Sequence, residues 1–375
     1  MDQPNSTPTG ESQSFDLPFF WPFAKTAVDL TEHNLDAWTK NLEFFSEEEK
    51  FEAVLEPHLA TENRLRLDLR TMRFRDYSKP DPKGIPTIVD APYAGHSAMI
   101  ADYHKGQSLM ETLSDNGIDH LFLIDWKSAT PDMKDLEIDQ YLAEINVCVD
   151  DLGGRVNLVG LCQGGWMCAM YAARFPEKVA SLVLAGAPID TDAGNGPIKQ
   201  MAQSYPVSFY EELVRLGGGL MRGRFMLAGW KNMHPEEHYF KNYIDLYQHI
   251  DDPDYISKEE TFQSWYEHPI DLPGRWYLQA IVQLFKENRL AKGTFVALGK
   301  TLNLKSVTCP VYLLAGEADD ITTKEQVFDA DKYLGTAQDQ IKKQLVPGGH
   351  IGLFMGSHTL KSAWPGIATW IAQIH

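Results

Sequence analysis

Three segments carry residue types and spacings able to do covalent chemistry. In RVNLVGLCQGGWMCAMYAARFPEKV, the apolar run Val156–Leu161 leads into Gly160-Leu161-Cys162-Gln163-Gly164, after which a helical pattern starts. A nucleophile on such a strand-to-helix turn is exposed by strained backbone, and flanking glycines leave room for close packing at the turn. The following helix points its positive end at Cys162, which favours a thiolate. The backbone N–H of Gln163 is then placed to hold an oxyanion. A buried structural cysteine in a glycine turn is the plain alternative, and the strand before and helix after weigh against it.

The second segment is PVYLLAGEADDITT, in which a strand ends at Gly316-Glu317-Ala318-Asp319-Asp320-Ile321. Asp319 is the better candidate for a triad acid, with its neighbour Asp320 left open. The third is QLVPGGHIGLF, where Gly348-Gly349-His350-Ile351-Gly352 puts His350 on a glycine-flexed loop before the last helix. The chain order nucleophile, acid, His is that of α/β-hydrolases and differs from the other two common triad orders. Asp319 would orient His350. His350 would take the Cys162 proton and later activate water or an acceptor hydroxyl, assistance typically worth ~10²–10⁴-fold in rate.

A softer signal is DAPYAGHSAM, after the first long apolar strand. A backbone N–H among Tyr93, Ala94 and Gly95 is expected to supply the second oxyanion donor, with Ala94 taken as the choice. Tyr93, His96 and Trp166 are the candidate substrate contacts, although a structural loop His explains His96 equally well. Asp125-Trp126 reads as packing at the same sheet edge. Cys148 and Cys168 lie on helical patterns and read as packed thiols.

These segments need a scaffold that brings strand ends together. An alternating apolar and polar run at Thr71–Tyr77 and short apolar runs at Thr87–Ala91, His120–Asp125, Arg155–Leu161, Ser181–Ala185 and Val311–Ala315 predict strands. Amphipathic stretches at Ala101–Ser114, Leu136–Leu152 and Gly164–Phe175 predict the helices between them. Strands alternating with helices predict a mostly parallel central sheet with helices on both faces, an α/β class fold. The rhythm breaks over 190–267, an aromatic-rich and mostly helical insertion that reads as a lid over an apolar substrate or as a plain helical cap. The expected organisation is a disordered tail over 1–15, a helical region and first strand over 16–80, with the helical pattern running from Phe19 to about Arg66, a core over 81–189, the insertion, and a second core part over 268–375.

Bulk properties restrict the function class. The chain has 375 residues, 43% hydrophobic and 23% charged, which suits a sizeable core. With 34 basic against 52 acidic residues its formal charge is -18, which disfavours nucleic acid as a partner. Four cysteines without CxxC or metal spacing suggest a reducing compartment and no metal site. The polar N-terminus MDQPNSTPTGESQSF does not read as a secretory signal, and no run of about 18 apolar residues predicts a transmembrane helix. A cytoplasmic protein without a cofactor is expected.

The pieces LVGLCQGG, the sheet-edge DW, ENRLAKG and GGHIGL with its downstream WPGIATWI resemble the polyhydroxyalkanoate synthase and intracellular polyhydroxyalkanoate depolymerase superfamily. The resemblance covers roughly residues 85–375 and carries that group's Cys-Asp-His triad onto Cys162, Asp319 and His350. Both branches work through an acyl group on the cysteine. Synthases pass it from coenzyme A to a growing chain, and depolymerases pass it to water or, in some cases, a thiol. DLPGRWYLQAIVQLF, GEADDIT and APYAGHSAM look more like the depolymerase, whereas LCQGGWMCAMYAARFPEKV is closer to the synthases. The resemblance therefore implies an ester hydrolase acting on 3-hydroxyalkanoate polymer or oligomer, with a synthase-like acyltransferase using hydroxyacyl-coenzyme A as the alternative. It implies a polyester or hydroxyacyl ester partner, a storage-granule surface as a place of action, and is compatible with an oligomer.

Overall fold

The structure, a computed structural model, describes residues 57–233 and 253–374. The expected tail over 1–15, most of the helical region from Phe19, and the insertion aromatics Tyr239, Phe240, Tyr243 and Tyr247 lie outside the described residues.

Eight strands form one sheet: β1 (Arg64–Asp68), β2 (Met72–Asp76), β3 (Thr87–Asp90), β4 (Leu121–Trp126), β5 (Val156–Leu161), β6 (Val179–Ala185), β7 (Val311–Gly316) and β8 (Ile341–Val346). Their spatial order is β1-β2-β4-β3-β5-β6-β7-β8. The first two are antiparallel additions, and every pairing from β4 to β8 is parallel. The register is set by apolar partners such as Leu158 opposite Leu182 and Leu182 opposite Val311.

Strands β3 to β6 are buried on both faces, which is why they read as continuous apolar runs. Alternate residues serve two separate cores. Leu158, Leu182, Leu184 and Leu313 face one core, while Val159, Leu161, Val183 and Leu314 face the other. Helices α2 (Ile138–Asp151) and α3 (Gln163–Arg174) cover the first through Tyr141, Leu142, Ile145 and Met167. Helix α1 (Leu109–Asp115) and the last helix, α9 (Trp364–Ala372), cover the second through Leu113, Ile367 and Ile371. Truncating a fully buried leucine such as Leu158 to Ala removes contacts on one of these faces and costs about 2–5 kcal/mol.

Two sequence expectations need correction. Arg64–Asp68 is an edge strand, not the end of a helix, and its charged residues point to solvent as edge strands favour. The helix expected from Ala101 starts only at Leu109. Asp102 holds the preceding loop instead: it accepts from the Thr61 N–H and hydroxyl, the Tyr77 hydroxyl and the Ser108 hydroxyl at 2.7–3.0 Å. Ser108 then caps α1 through the Glu111 N–H at 3.0 Å.

Between β6 and β7 the chain leaves the main sheet. It runs through α4 (Pro197–Ser204), α5 (Val207–Leu216), α6 (Gly223–Met233) and α7 (Pro253–Tyr266). Then come α8 (Gly274–Gln279) and a continuous π-helical stretch over Ala280–Lys286. The second part of the core, expected from residue 268, supplies its first strand to the main sheet at Val311. Asp271 ties the insertion to the core: its carboxylate accepts from the Arg222 guanidinium and Gly223 N–H, both at 2.8 Å, and its carbonyl from the Ala129 N–H at 2.8 Å.

Candidate active site

The turn at the end of β5 follows from its glycines. A Cβ on Gly160 would come within 2.4 Å of Gly165 Cα, so strand and helix cross too closely for a side chain. Gly164 packs against the Asp90 carbonyl and Gly165 against Ala187, where added Cβ atoms would lie at 2.2 and 2.3 Å. Cys162, at the corner, adopts φ 50°, a left-handed conformation that costs a non-glycine residue about 1–3 kcal/mol and marks a position fixed by its surroundings. Its N–H is fixed by a 2.8 Å bond to the Ala185 carbonyl, and α3 begins at the next residue. The half-buried Cys162 thus sits at a helix N-terminus on the C-terminal edge of the sheet.

Loops after β7 and β8 reach the same edge. The Glu317 N–H donates to the Val346 carbonyl and the Ala318 N–H to the Gly348 carbonyl, binding the two loops together. Gly348, at φ 112°, turns the chain so that His350 Nδ1 lies 2.7 Å from Asp319 Oδ2. The other Asp319 oxygen accepts the backbone N–H groups of Ile321 and Thr322 at 3.0 and 2.8 Å. Burial alone would lower the affinity of His350 for a proton. The Cys162 sulfur and the Asp319 carboxylate outweigh it, raising the imidazole well above its ordinary value. His350 and Cys162 line the same cavity. Asp320, the acid left open by the sequence, faces the adjacent cavity, while Asp319 holds the histidine.

The other cysteines are different. Cys148 packs on the Met72 sulfur, and Cys168 lies 3.7 Å from Asp90 Oδ2; burial pushes both thiols up. Burial likewise pushes Cys309 up to about 12. None has the helix-end position of Cys162.

The loop after β3 places the remaining expected residues. The Tyr93 N–H donates to Gln163 Oε1, so this N–H is occupied and leaves the oxyanion position to its neighbours. The Ala94 N–H has no acceptor among the described residues, and Ala94 lines both cavities that meet at Cys162. Tyr93 itself is fully buried among Trp126, Tyr141 and Trp276, with its hydroxyl 3.2 Å from the Asp271 carbonyl. His96 lines the larger cavity, stacked on Tyr266 and tilted against Trp265, with Nε2 2.9 Å from the Tyr266 carbonyl. Burial lowers its pKa to about 4 and keeps it neutral. Trp166 lines the smaller cavity on the other side of the elbow. Asp125-Trp126 is packing, as the sequence suggested: the Trp126 indole donates to Asp90 Oδ1 and the Ala91 carbonyl.

The larger cavity, about 480 Å³, joins Cys162 and His350 to His96, Trp265 and Tyr266. The smaller, about 130 Å³, joins Cys162 to Gln163, Trp166 and Trp276. Trp230 of α6 lines both. The sequence had marked the insertion as rich in aromatic residues without assigning Trp230, Trp265 or Trp276 to the site. Their signal was present in the excess of aromatic residues and in DLPGRWYLQA, but the register of a helical insertion on a sheet is set by long-range packing.

A cysteine at a helix N-terminus, a histidine held by a carboxylate, and two cavities lined largely by apolar side chains are groups able to carry acyl transfer through a covalent intermediate. Comparison with known proteins agrees with this fold. A family described as "Protein of unknown function (DUF3141)" matches residues 65–374. The chain is 28% identical over 294 residues to the poly(3-hydroxyalkanoate) polymerase subunit PhaC of Haloferax mediterranei, covering 76% of this chain and 57% of that protein. It is 27% identical over 315 residues to the PhaC subunit of Allochromatium vinosum, covering 80% and 84%. The chain thus spans little more than half the length of the first relative. Among solved structures it is similar to a monoacylglycerol lipase of Paleococcus ferrophilus, with a TM-score of 0.52 and 18% identity over 81% of this chain and 99% of that one. A Bacillus megaterium epoxide hydrolase gives a TM-score of 0.50 and 14% identity over 83% and 99%. The fold is that of the α/β-hydrolases. No helix among the described residues is long and apolar enough to cross a membrane.

Proposed function

For this chain, which belongs to the DUF3141 family and resembles the polyhydroxyalkanoate synthase and depolymerase superfamily, we propose an acyltransferase working through a thioester on Cys162. Its substrate in this reading is a hydroxyacyl thioester of the kind carried by coenzyme A. The observation that carries the reading is the buried Asp319–His350 pair beside a cysteine fixed in left-handed conformation at a helix N-terminus.

In this reaction His350 accepts the Cys162 proton and Sγ attacks the acyl carbonyl. The Gln163 and Ala94 N–H groups hold the oxyanion. The carrier thiolate leaves and takes the proton back from His350. An acceptor hydroxyl then loses its proton to His350 as its oxygen attacks the thioester, and Cys162 is restored. Asp319 keeps the tautomer of His350 and stabilises the cation formed in each half-reaction.

The sequence reading put hydrolysis first; that reaction draws the acyl group from a polyester and gives it to water, whereas transfer draws it from a thioester and gives it to a hydroxyl. The relatives, named as polymerase subunits, favour transfer. The test compares 3-hydroxybutyryl-coenzyme A with hydroxybutyrate trimer as substrates. Oligomer plus free coenzyme A from the thioester supports the transferase. Free hydroxyacid from the trimer, with the thioester untouched, would return the chain to the hydrolases.

A further inference from the structure

The residues on either side of Ala94 are tied in turn to the end of the insertion. The Tyr93 hydroxyl donates to the Asp271 carbonyl at 3.2 Å, and the Ile270 N–H donates to the Gly95 carbonyl at 2.7 Å. His96 Nε2 lies 2.9 Å from the Tyr266 carbonyl, which only accepts, so this nitrogen carries the ring proton. The Trp265 indole N–H donates to the Ser97 carbonyl at 3.1 Å. From Tyr93 to Ser97, four of the five residues thus bond to residues 265–271, in opposite chain order. Ala94 is the exception: its N–H has no acceptor among the described residues, and it lines both cavities beside Cys162. The chain turns just after it at Gly95, whose φ of 98° L side chains rarely adopt. Met226 of α6 closes over this turn, its Cβ 3.4 Å from where a Cβ on Gly95 would lie.

From this we infer that α7 and the turn after it are a fixed strut for the oxyanion hole, with His96 and Trp265 as positioning residues for the Ala94 N–H. The inference rests on the covalent chemistry proposed at Cys162 and adds what holds its second donor in place. An oxyanion donor works only if it already points at the place where charge will develop. The Gln163 N–H meets that need because α3 begins there. Ala94 sits in a loop beyond β3, where neither a strand ladder nor a helix fixes its peptide. Two sets of bonds replace them. Gln163 Oε1 accepts the Tyr93 N–H, which joins the two donor segments, and the bonds to 265–271 pin the loop from the other side. Lifting this part of the insertion would break those bonds and release Ala94, so it stays in place while substrates come and go.

The experiment compares, in the full chain, a reaction of Cys162 that builds an oxyanion with one that does not. With p-nitrophenyl acetate, Sγ bonds to the acetyl carbon through a tetrahedral oxyanion and p-nitrophenolate leaves. With iodoacetamide, the same sulfur bonds to the methylene carbon and iodide leaves, with no charge on a carbonyl oxygen. His96→Phe keeps the ring on Tyr266 and loses the Nε2 bond, while Trp265→Phe loses the bond to the Ser97 carbonyl. Each should slow acetylation by about tenfold or more, part of the roughly 10²–10³-fold that a whole oxyanion donor supplies. Alkylation of both variants should stay within about threefold of the native rate, because it draws nothing from the oxyanion hole. His96→Gln, whose amide can still donate to the Tyr266 carbonyl, should recover most of the acetylation rate. Tyr103→Phe removes a bond to the Lys258 carbonyl at a distant point of α7 and should leave both rates within about twofold. Equal loss of both rates in His96→Phe and Trp265→Phe, or unchanged acetylation in the two, overturns the strut. Should the variants behave as expected while 3-hydroxybutyryl-coenzyme A leaves the native protein unacylated, the transfer reading falls and the strut stands. No acetylation of native Cys162 overturns both.

Discussion

Asp319 presents both its oxygens to fixed donors: Oδ2 lies 2.7 Å from His350 Nδ1, while Oδ1 takes the Ile321 and Thr322 N–H groups. A carboxylate held this way cannot turn from the imidazole, while the neighbouring Asp320 lines the adjacent cavity. Asp319→Asn should therefore lower kcat by about 10²–10⁴-fold, with Asp320→Asn costing less than about tenfold. Steady-state rates on one acyl substrate check this, and equal losses at the two positions would contradict it.

The elbow glycines make a separate prediction about stability. Gly165→Ala puts a methyl 2.3 Å from Ala187 Cβ, and Gly164→Ala puts one 2.2 Å from the Asp90 carbonyl oxygen. Each should destabilise the fold by about 1–3 kcal/mol through overpacking. Gly352→Ala, where nothing lies within 4 Å of the new methyl, should cost much less. Denaturant midpoints of the three variants give the comparison.

How far the site was legible in the sequence follows from these same residues. Cys162, Asp319 and His350 were readable because local chemistry marks them: glycines at a close crossing, an acid at a strand end, a histidine after Gly-Gly. The strands β3 to β7 were readable because burial on both faces leaves no polar alternation. The Asp102 loop was not, since a run with helical spacing gave way to four hydrogen bonds, three of them reaching Asp102 from Thr61 and Tyr77 across the fold. The edge strand Arg64–Asp68 was missed because RLRLD satisfies either pattern until β2 pairs with it. Trp265, in the insertion, and Trp276, just after it, were missed because which aromatic residues line the cavities depends on long-range packing, including the Asp271 contacts that dock the insertion.

His96 predicts a pH effect. Its ordinary value of 6.5 falls to about 4 in the fold because burial disfavours the cation. Between those values the unfolded chain binds more protons than the folded one, so stability is full above about 6.5 and is lost as pH falls towards 4. His96→Gln, which keeps a donor for the Tyr266 carbonyl, should flatten that part of the curve. Melting temperatures of the two proteins from pH 7 to pH 4 would show it; parallel curves would remove His96 from the account.

Asp90 works in the opposite sense. Burial raises its carboxyl well above 3.8, against the smaller opposing pull of the Trp126 and Cys168 hydrogen bonds. Its folded form holds a proton that the unfolded chain gives up, so its contribution is full below 3.8 and is lost as pH rises above that. Asp90→Asn, neutral at every pH and able to keep the Trp126 bond, should make the protein less sensitive to rising pH. Denaturation midpoints between pH 5 and pH 8 test it, and an unchanged slope would count against a protonated Asp90.

The central claim is that Cys162 carries the acyl group, and intact-protein mass spectrometry after brief mixing with 3-hydroxybutyryl-coenzyme A tests it most directly. The account predicts a single hydroxyacyl adduct, mapped to the Cys162 peptide, absent in Cys162→Ala and formed far more slowly in His350→Ala. An adduct on another residue, or turnover by Cys162→Ala at the native rate, would contradict it.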